Sequence, residues 1–278
     1  MEIPQYLKEL AIQSELNRQW VAALPRTIES LSTIWKLKLK APLTENATCS
    51  YVVSCITADQ NKAVLKIGLP HDEALHEADS LILLNGKPTV HLLKHERSKN
   101  ALLLEHCIPG TSLNISPEPE QDVIICQTLQ AIWKANIHDQ PFRSLSTMVD
   151  SWNQETKRDI NAFPDARLAL EGCELKNKLI NSTQESVLLA TDLHAGNILK
   201  AKRLPWLAID LKPYVGDPAY DLTQHIMNCM DRFYNDPHAL ITRLSNLAMI
   251  DPQRLQQWMK ARLLTEHKGK HQELARKL

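Results

Sequence analysis

The stretches Leu188–Leu199, LLATDLHAGNIL, and Trp206–Leu222, WLAIDLKPYVGDPAYDL, hold the polar residues that decide how this chain is interpreted. Each begins with a short apolar run that is typical of a buried strand. Each then places an aspartate where a polar turn begins, Asp192 in the first stretch and Asp210 in the second. Because Asn197 lies only a short loop beyond Asp192, the three side chains can converge on one small volume.

These residue types suit one kind of chemistry. Carboxylate and amide oxygens are hard ligands that suit Mg²⁺ bound to phosphates. A separately placed carboxylate can orient a hydroxyl group and accept its proton, as phosphoryl transfer requires. The chain has only seven glycines, and two of them, Gly196 and Gly216, lie close to the aspartates. Glycine permits unusual backbone angles, so this placement favours two structured turns.

The first part of the chain predicts an antiparallel sheet that carries one packed helix. Residues 3–24 space apolar positions as a helix does and are expected to end before Pro25. Gly86 is a plausible end for a second helix, and the turn at residues 97–100 predicts a hairpin. The β-like runs are residues 32–43, 49–58 and 63–68, the second helix is 71–86, and the hairpin is 90–107.

Beyond residue 110 the pattern becomes mainly helical, interrupted by the β-like stretches that hold the aspartates. The helix candidates are residues 122–137, 148–162, 167–183, 220–231 and 252–268. We therefore predict an α+β fold with two lobes. The first lobe covers residues 1–105, a hinge covers 106–110, and a mainly helical lobe covers 111–278.

Composition narrows the function classes. Lysine plus arginine equals aspartate plus glutamate, 32 of each, so the formal charge is zero and a nucleic-acid partner is not expected. The basic cluster Lys200–Arg203 is interpreted as a solvated face. The sequence contains no Cys-x-x-Cys pair, so a zinc site is not expected. No signal peptide and no apolar run long enough to cross a membrane is recognised, so we expect a cytoplasmic protein without a membrane partner. The oligomeric state stays open.

Together with ADSLILLNGKPTVHLL (78–93) and LLLEHCIPGTSL (102–113), the two opening stretches resemble the aminoglycoside phosphotransferase family. The match is closest to its streptomycin 6-kinase and hydroxyurea phosphotransferase branch, and it extends over about residues 34–230. The resemblance implies a protein-kinase-like fold that binds a nucleotide between its lobes. It also implies ATP and Mg²⁺ as cofactors and a small hydroxylated molecule as phosphoryl acceptor.

By that resemblance, Asp192 orients the acceptor hydroxyl and acts as the catalytic base, while Asn197 and Asp210 hold Mg²⁺. Lys66 contacts the α- and β-phosphates of the nucleotide. Glu77 is expected to pair with Lys66, and Glu73, one helical turn earlier, remains an alternative partner.

The resemblance also implies where the rest of the nucleotide binds. Backbone groups of Glu105 and Cys107 would contact the adenine edge. The segment expected to cover the phosphates, ENATCS at residues 45–50, has no glycine. Its small residues would have to contact the phosphates through backbone amides and hydroxyls, and these residues are Ala47, Thr48, Cys49 and Ser50.

A second departure lies beside the catalytic aspartate, where Ala190 and Thr191 replace the usual histidine and glycine. Thr191 adds a stiff β-branched side chain at this point. The favoured function is ATP- and Mg²⁺-dependent O-phosphorylation of a small molecule, with an aminoglycoside such as streptomycin as the expected acceptor. The alternatives are a metabolic kinase for a sugar or amino alcohol, and a catalytically silent nucleotide-binding module.

The acceptor site leaves only a weak trace in the sequence. Polycationic acceptors favour carboxylates, and sugar or guanidinium groups stack on aromatic rings. Candidates in the helical lobe are Asp150, Glu155, Asp159, Asp231, Asp236, Trp133, Trp152, Phe233 and Tyr234.

Overall fold

The computed structural model describes residues 3–44, 48–70 and 75–278. The chain divides into two compact units. The first unit comprises Met1–Thr111 and Leu199–Ile209, and the second comprises Ser112–Ile198 and Asp210–Leu278. No sequence signal indicates that residues 199–209 belong with the first unit. The hinge at 106–110 stays a prediction.

Within the described part of the first unit, five strands form one antiparallel sheet in the order β1-β2-β3-β5-β4. β2 alternates buried and half-buried residues, as a strand with two different faces does. The register sets Lys66 of β3 opposite Val52 of β2 and Leu102 of β5. The strands are β1 Lys38–Pro42, β2 Ser50–Ile56, β3 Lys62–Gly68, β4 Leu92–Glu96 and β5 Ala101–Glu105.

Helices pack on both faces of this sheet. The N-terminal helices α1 (Gln5–Gln13) and α2 (Glu15–Ile34) join a buried cluster with Leu65 and Leu103. Helix α3 (Glu77–Leu84) joins a different cluster with Leu102 and Leu104. Since successive side chains of a strand point to opposite faces, the sheet separates the two clusters. The predicted helix after β3 is therefore present, and the N-terminal helices add a layer that the prediction of one packed helix did not include.

The expected helix end before Pro25 is wrong, because Pro25 lies inside α2. Proline removes one backbone hydrogen bond and costs a helix interior about 3 kcal/mol. Leu24, Ile28 and Leu31 are buried on one face of α2 on both sides of the turn that holds Pro25. Burial of that stripe offsets the cost of the proline. The helix therefore continues through residues 32–34, which the alternating sequence pattern predicts as the start of a strand.

The second unit is mainly helical, which confirms the α+β prediction. Its helices are α4 Glu118–Trp133, α5 Leu145–Arg158, α6 Ala166–Asn181, α7 Pro218–Asn228, α8 Met230–Asn235, α9 Pro237–Ala248, α10 Pro252–Leu264 and α11 Gly269–Ala275. The sequence interpretation missed α9, although Asp236 caps it and Leu240, Ile241 and Leu244 form its buried stripe.

Four short strands surround the aspartate-bearing loops: β6 Val187–Leu189, β7 Ile198–Lys200, β8 Trp206–Ala208 and β9 Tyr214–Gly216. β6 pairs with β9 in antiparallel register, and β7 pairs with β8. Asp192 therefore follows β6, and Asp210 follows the second strand of the β7–β8 hairpin. Among the helices described, none has the combination of length and apolar composition that crossing a bilayer requires.

Candidate active site

Asp192 lies in the loop after β6 with both carboxylate oxygens held by donors of the second unit. Lys212 Nζ lies 2.8 Å from Asp192 Oδ2. Gln224 Nε2, on α7, donates to Asp192 Oδ1 at 2.8 Å. The side chain of Asp192 is 24% exposed, so it remains reachable from solvent. A partly exposed carboxylate that is fixed at both oxygens is suited to orient a hydroxyl group.

Asn197 ends a short 3-10 helix, Ala195–Asn197, in the same loop. Its amide Nδ2 donates to the backbone carbonyl of Asp192 at 3.0 Å. Because the amide nitrogen faces the loop, the amide oxygen faces away from that carbonyl, where it can serve as a hard oxygen ligand.

Asp210 adopts a left-handed backbone conformation with φ of 56°, which aspartate tolerates better than most residue types. Burial lowers the pKa of His194, and the negative charges of Asp192 and Asp210 oppose that lowering. The imidazole of His194 is therefore within electrostatic range of both carboxylates.

These residues fit a magnesium ion that is shared with phosphates. Among the residues that the structure describes, no three His, Cys, Asp or Glu side chains group as an all-protein metal site. Magnesium usually takes one or two carboxylates from protein and fills its remaining positions with phosphate oxygens and water. Asn197 and Asp210 supply the oxygen types for the protein's share of such a site.

The Ala190–Thr191 departure has a structural role. Thr191 has a φ of 49°, a conformation that favours glycine and is uncommon for a β-branched residue. Its hydroxyl Oγ1 donates to the carbonyl of Lys212 at 2.6 Å, and the N–H of Lys212 donates to the carbonyl of Ala190 at 3.1 Å. These hydrogen bonds connect the loop of Asp192 to the loop of Asp210. The bond from the Thr191 hydroxyl offsets part of the free-energy cost of the unfavourable backbone angle.

Asp221 supports the same loop from α7. Its fully buried carboxylate accepts hydrogen bonds from the N–H groups of Ala190 and Thr191 at 2.9 and 2.7 Å, and from Trp133 Nε1 at 3.0 Å. Burial raises the pKa of Asp221 to about 6, although the three hydrogen bonds oppose the rise. Asp221 therefore braces the backbone just before Asp192.

The raised pKa of Asp221 predicts a measurable pH dependence of stability. The folded carboxyl keeps its proton up to about pH 6, whereas the unfolded carboxyl loses it near 3.8. The contribution of Asp221 to stability therefore decreases by about 2 kcal/mol as the pH rises from 4 to 7. Asp221→Asn lacks this titration, so the difference in unfolding free energy between wild type and variant should change by that amount.

Urea unfolding of both proteins at several pH values between 4 and 7 measures this difference. Asp150→Asn, at an exposed position of α5, is the matched control and should run parallel to wild type. A difference between wild type and Asp221→Asn that stays constant over this range would contradict the raised pKa.

In the first unit, Lys66 and Glu77 form a buried ion pair. Lys66 Nζ lies 2.8 Å from Oε1 and 2.7 Å from Oε2 of Glu77. Glu77 is the first residue of α3, so the pair joins that helix to β3. The alternative partner, Glu73, lies outside the described residues.

The other residues expected at the nucleotide are also placed by the first unit. Ser50 opens β2 opposite Gly68, and its carbonyl accepts a hydrogen bond from Tyr6 at 2.8 Å. The N–H of Glu105 donates to the carbonyl of His91 at 2.9 Å, so this N–H is already engaged. The N–H of Cys107 makes no hydrogen bond within the described part of the chain.

Lys200, Lys202 and Arg203 are exposed, as expected for a solvated face, but contacts also engage the side chain of Arg203. Its guanidinium binds the carboxylate of Glu105 at 2.7 Å and the carbonyls of Gly86 and Thr89 at 2.6 and 2.9 Å. The side chain of Arg203 is 29% exposed. It therefore fixes residues 199–209 to the end of β5, a contact that charge patterning along the chain could not reveal.

Two of the aromatic residues considered for acceptor binding have other roles. Phe233 is completely buried, and Trp133 donates its indole N–H to Asp221. Three other candidates, Trp152, Glu155 and Asp159, line one cleft of about 270 Å³ in the second unit.

The chain is similar in sequence to known phosphotransferases. The family model for aminoglycoside/hydroxyurea antibiotic resistance kinases matches residues 35–266. A streptomycin 6-kinase of Streptomyces glaucescens is 30% identical over 227 residues, which cover 80% of this chain and 73% of that protein. A hydroxyurea phosphotransferase of Kitasatospora aureofaciens is 28% identical over 234 residues, covering 82% and 68% of the two chains.

Among solved structures, a choline kinase of Streptococcus pneumoniae superposes with a TM-score of 0.65. The alignment covers 91% of each chain at 12% sequence identity. At that identity the similarity shows the fold alone, and it confirms the predicted kinase-like fold class.

Proposed function

The chain belongs to the aminoglycoside/hydroxyurea antibiotic resistance kinase family, and we propose that it transfers the γ-phosphoryl group of ATP to a hydroxyl of a small molecule. An aminoglycoside of the streptomycin type is the proposed acceptor. One observation carries the proposal: Asp192, held by Lys212 and Gln224, lies in the same loop as Asn197, with the loop of Asp210 tied to it. Because the donor is ATP, we place the activity in the cytoplasm.

In the proposed reaction, the acceptor hydroxyl donates a hydrogen bond to the carboxylate of Asp192. The acceptor oxygen forms a bond to the γ-phosphorus, and the bond from that phosphorus to the β,γ-bridging oxygen breaks. The hydroxyl proton passes to Asp192, and ADP leaves with the bonding electron pair. Positioning and charge stabilisation account for most of the catalysis in phosphoryl transfer, which fits a base that is fixed before the acceptor binds.

Asn197 and Asp210 would hold Mg²⁺, which when bound neutralises charge on the phosphate oxygens. Lys66 would contact the α- and β-phosphates. Its position is supported by the two contacts to Glu77, since an ammonium on a flexible stem is otherwise poorly located. A buried cation aimed by a carboxylate is a preorganised electrostatic group of the kind that phosphoryl transfer uses.

The acceptor is proposed to bind the 270 Å³ cleft of the second unit. Half-buried Trp152 lines this cleft, and sugar rings or guanidinium groups can stack on such a ring. Tyr220 and Trp258, which are only 3% and 1% exposed, belong to the buried core next to the cleft. Arg262 also lines the cleft and donates to Gln224, which in turn donates to Asp192. The cleft is thus connected to the proposed base by two consecutive hydrogen bonds.

The carboxylates of this cleft predict a test of acceptor charge. Glu155→Gln and Glu266→Gln each remove a negative charge from its lining. For a cationic acceptor such as streptomycin, each variant should raise KM about 2-fold to 5-fold, as exposed charge pairs contribute about 0.2–1 kcal/mol. For uncharged hydroxyurea, KM should not change. An equal effect on both acceptors, or none on streptomycin, would contradict acceptor binding in this cleft.

The function is tested by measuring ADP formation from ATP and Mg²⁺ by purified protein with a panel of acceptors. The panel contains streptomycin, hydroxyurea, choline and a simple hexose. Release that rises with streptomycin alone supports the proposal. Release that rises with choline or the hexose alone identifies a metabolic kinase. Binding of ATP with no acceptor-dependent release would contradict the proposed acceptor and leave two interpretations, an acceptor outside this panel or a catalytically silent protein.

A further inference from the structure

Gln224 and Arg262 form a polar chain that ends on the proposed catalytic base. Gln224 Nε2 donates to Asp192 Oδ1 at 2.8 Å, and Arg262 donates to Gln224 Oε1 at 2.6 Å. Arg262 also donates to the hydroxyl of Thr223 at 3.0 Å, and that hydroxyl donates to the carbonyl of Tyr220 at 2.6 Å. Each of these four contacts joins a donor to an acceptor.

This chain fixes which way the amide of Gln224 points. A glutamine amide has nearly the same shape in its two flipped orientations, with the oxygen and nitrogen exchanged. Arginine carries only donors, so the amide oxygen must face Arg262. The NH₂ group then faces Asp192 and can only donate to it. Asp192 Oδ1 is therefore always presented with a donor.

We infer that Gln224 is a positioning residue for Asp192 and that Arg262 acts through Gln224. The inference rests on the proposed function, in which Asp192 receives the acceptor proton. Lys212 holds Oδ2 and Gln224 holds Oδ1, so the plane of the carboxylate is fixed at two points. Without the second point the carboxylate can rotate away from the acceptor hydroxyl, and loss of orientation lowers kcat without weakening nucleotide binding.

Substitution of Gln224 by Leu and by Glu separates positioning from simple packing. Gln224→Leu removes the donor and should lower kcat about 10-fold to 100-fold, as hydrogen bonds to charged groups contribute about 1.5–3 kcal/mol. Gln224→Glu retains the length of the side chain and an acceptor for Arg262, but sets a carboxylate against Asp192. Positioning predicts that the Glu variant is slower than the Leu variant, whereas a structural role predicts the reverse order. In both variants KM for ATP should stay at the wild-type value.

A double-mutant cycle tests the role of Arg262. If Arg262 acts through Gln224, Arg262→Met lowers kcat in wild type but has no further effect in Gln224→Leu. For the Gln224→Glu variant, the matched control is Gln257→Glu, which makes the same change at an exposed position of α10. Thermal unfolding identifies any variant that has lost its fold. Both substitutions of the cycle introduce apolar side chains, so neither adds a new polar contact.

Two results would overturn the inference. One is a Glu variant as fast as the Leu variant or faster, and the other is additive losses in the cycle. If Asp192→Asn abolishes turnover while the Gln224 variants retain wild-type kcat, only this inference fails. If Asp192→Asn turns over normally, this inference and the proposed role of Asp192 as the base both fail.

Discussion

Asp192→Asn is expected to lower kcat about 10²-fold to 10⁴-fold, the range that a positioned general base contributes. The asparagine amide retains the size of the carboxylate but cannot accept the acceptor proton. Binding of ATP should remain, because the residues proposed to contact the nucleotide lie in the first unit and are unchanged. Single-turnover phosphoryl transfer measures the first effect, and equilibrium titration with ATP measures the second.

Asp59→Asn is the control for this prediction, since it makes the same chemical change at an exposed position in the turn between β2 and β3. It should leave kcat unchanged. An Asp192→Asn variant that turns over at the wild-type rate would show that another group receives the proton.

Lys66→Met is expected to lower kcat/KM for ATP about 10²-fold to 10³-fold, as the loss of one preorganised charge at a reacting group does. The methionine fills similar space but cannot bind phosphates. The variant also removes the cation 2.7–2.8 Å from both oxygens of buried Glu77. Breaking a buried ion pair costs about 3–5 kcal/mol, so the free energy of unfolding should fall as well.

Lys62→Met is the matched control, because Lys62 is an exposed lysine on the same strand, β3. Steady-state kinetics in ATP and urea unfolding should leave this control close to wild type. Wild-type kcat/KM in the Lys66→Met variant would exclude Lys66 as a phosphate ligand, whatever its effect on stability.

The sheet of the first unit could be predicted because its signals are local. β2 alternates along its length, and the hairpin of β4 and β5 turns at residues 97–100 as expected. The end of α2 could not be predicted in the same way. Continuation of that helix through Pro25 depends on burial of Leu24, Ile28 and Leu31 against the sheet, and a local rule contains no information about that burial.

The residues of the candidate site also differ in whether a local sequence signal predicts them. Asp192 and Asp210 were recognisable because each follows a short apolar run, and Asn197 was recognisable because it lies a short loop beyond Asp192. The residues that hold them were not recognisable, because their partners are distant in sequence. Gln224 lies 32 residues beyond Asp192, and Arg203 lies 98 residues beyond Glu105. Such pairs arise from the tertiary fold, and single-sequence patterns do not report them.

The central claim is that this protein forms a phosphate ester on a small hydroxylated molecule. The most direct measurement is mass spectrometry and phosphorus NMR of streptomycin after incubation with the protein, ATP and Mg²⁺. We predict one phosphoryl group attached to a hydroxyl oxygen of the acceptor, formed by wild type and greatly reduced with Asp192→Asn. Unmodified streptomycin alongside free inorganic phosphate, or an ester that forms equally well with Asp192→Asn, would contradict the claim.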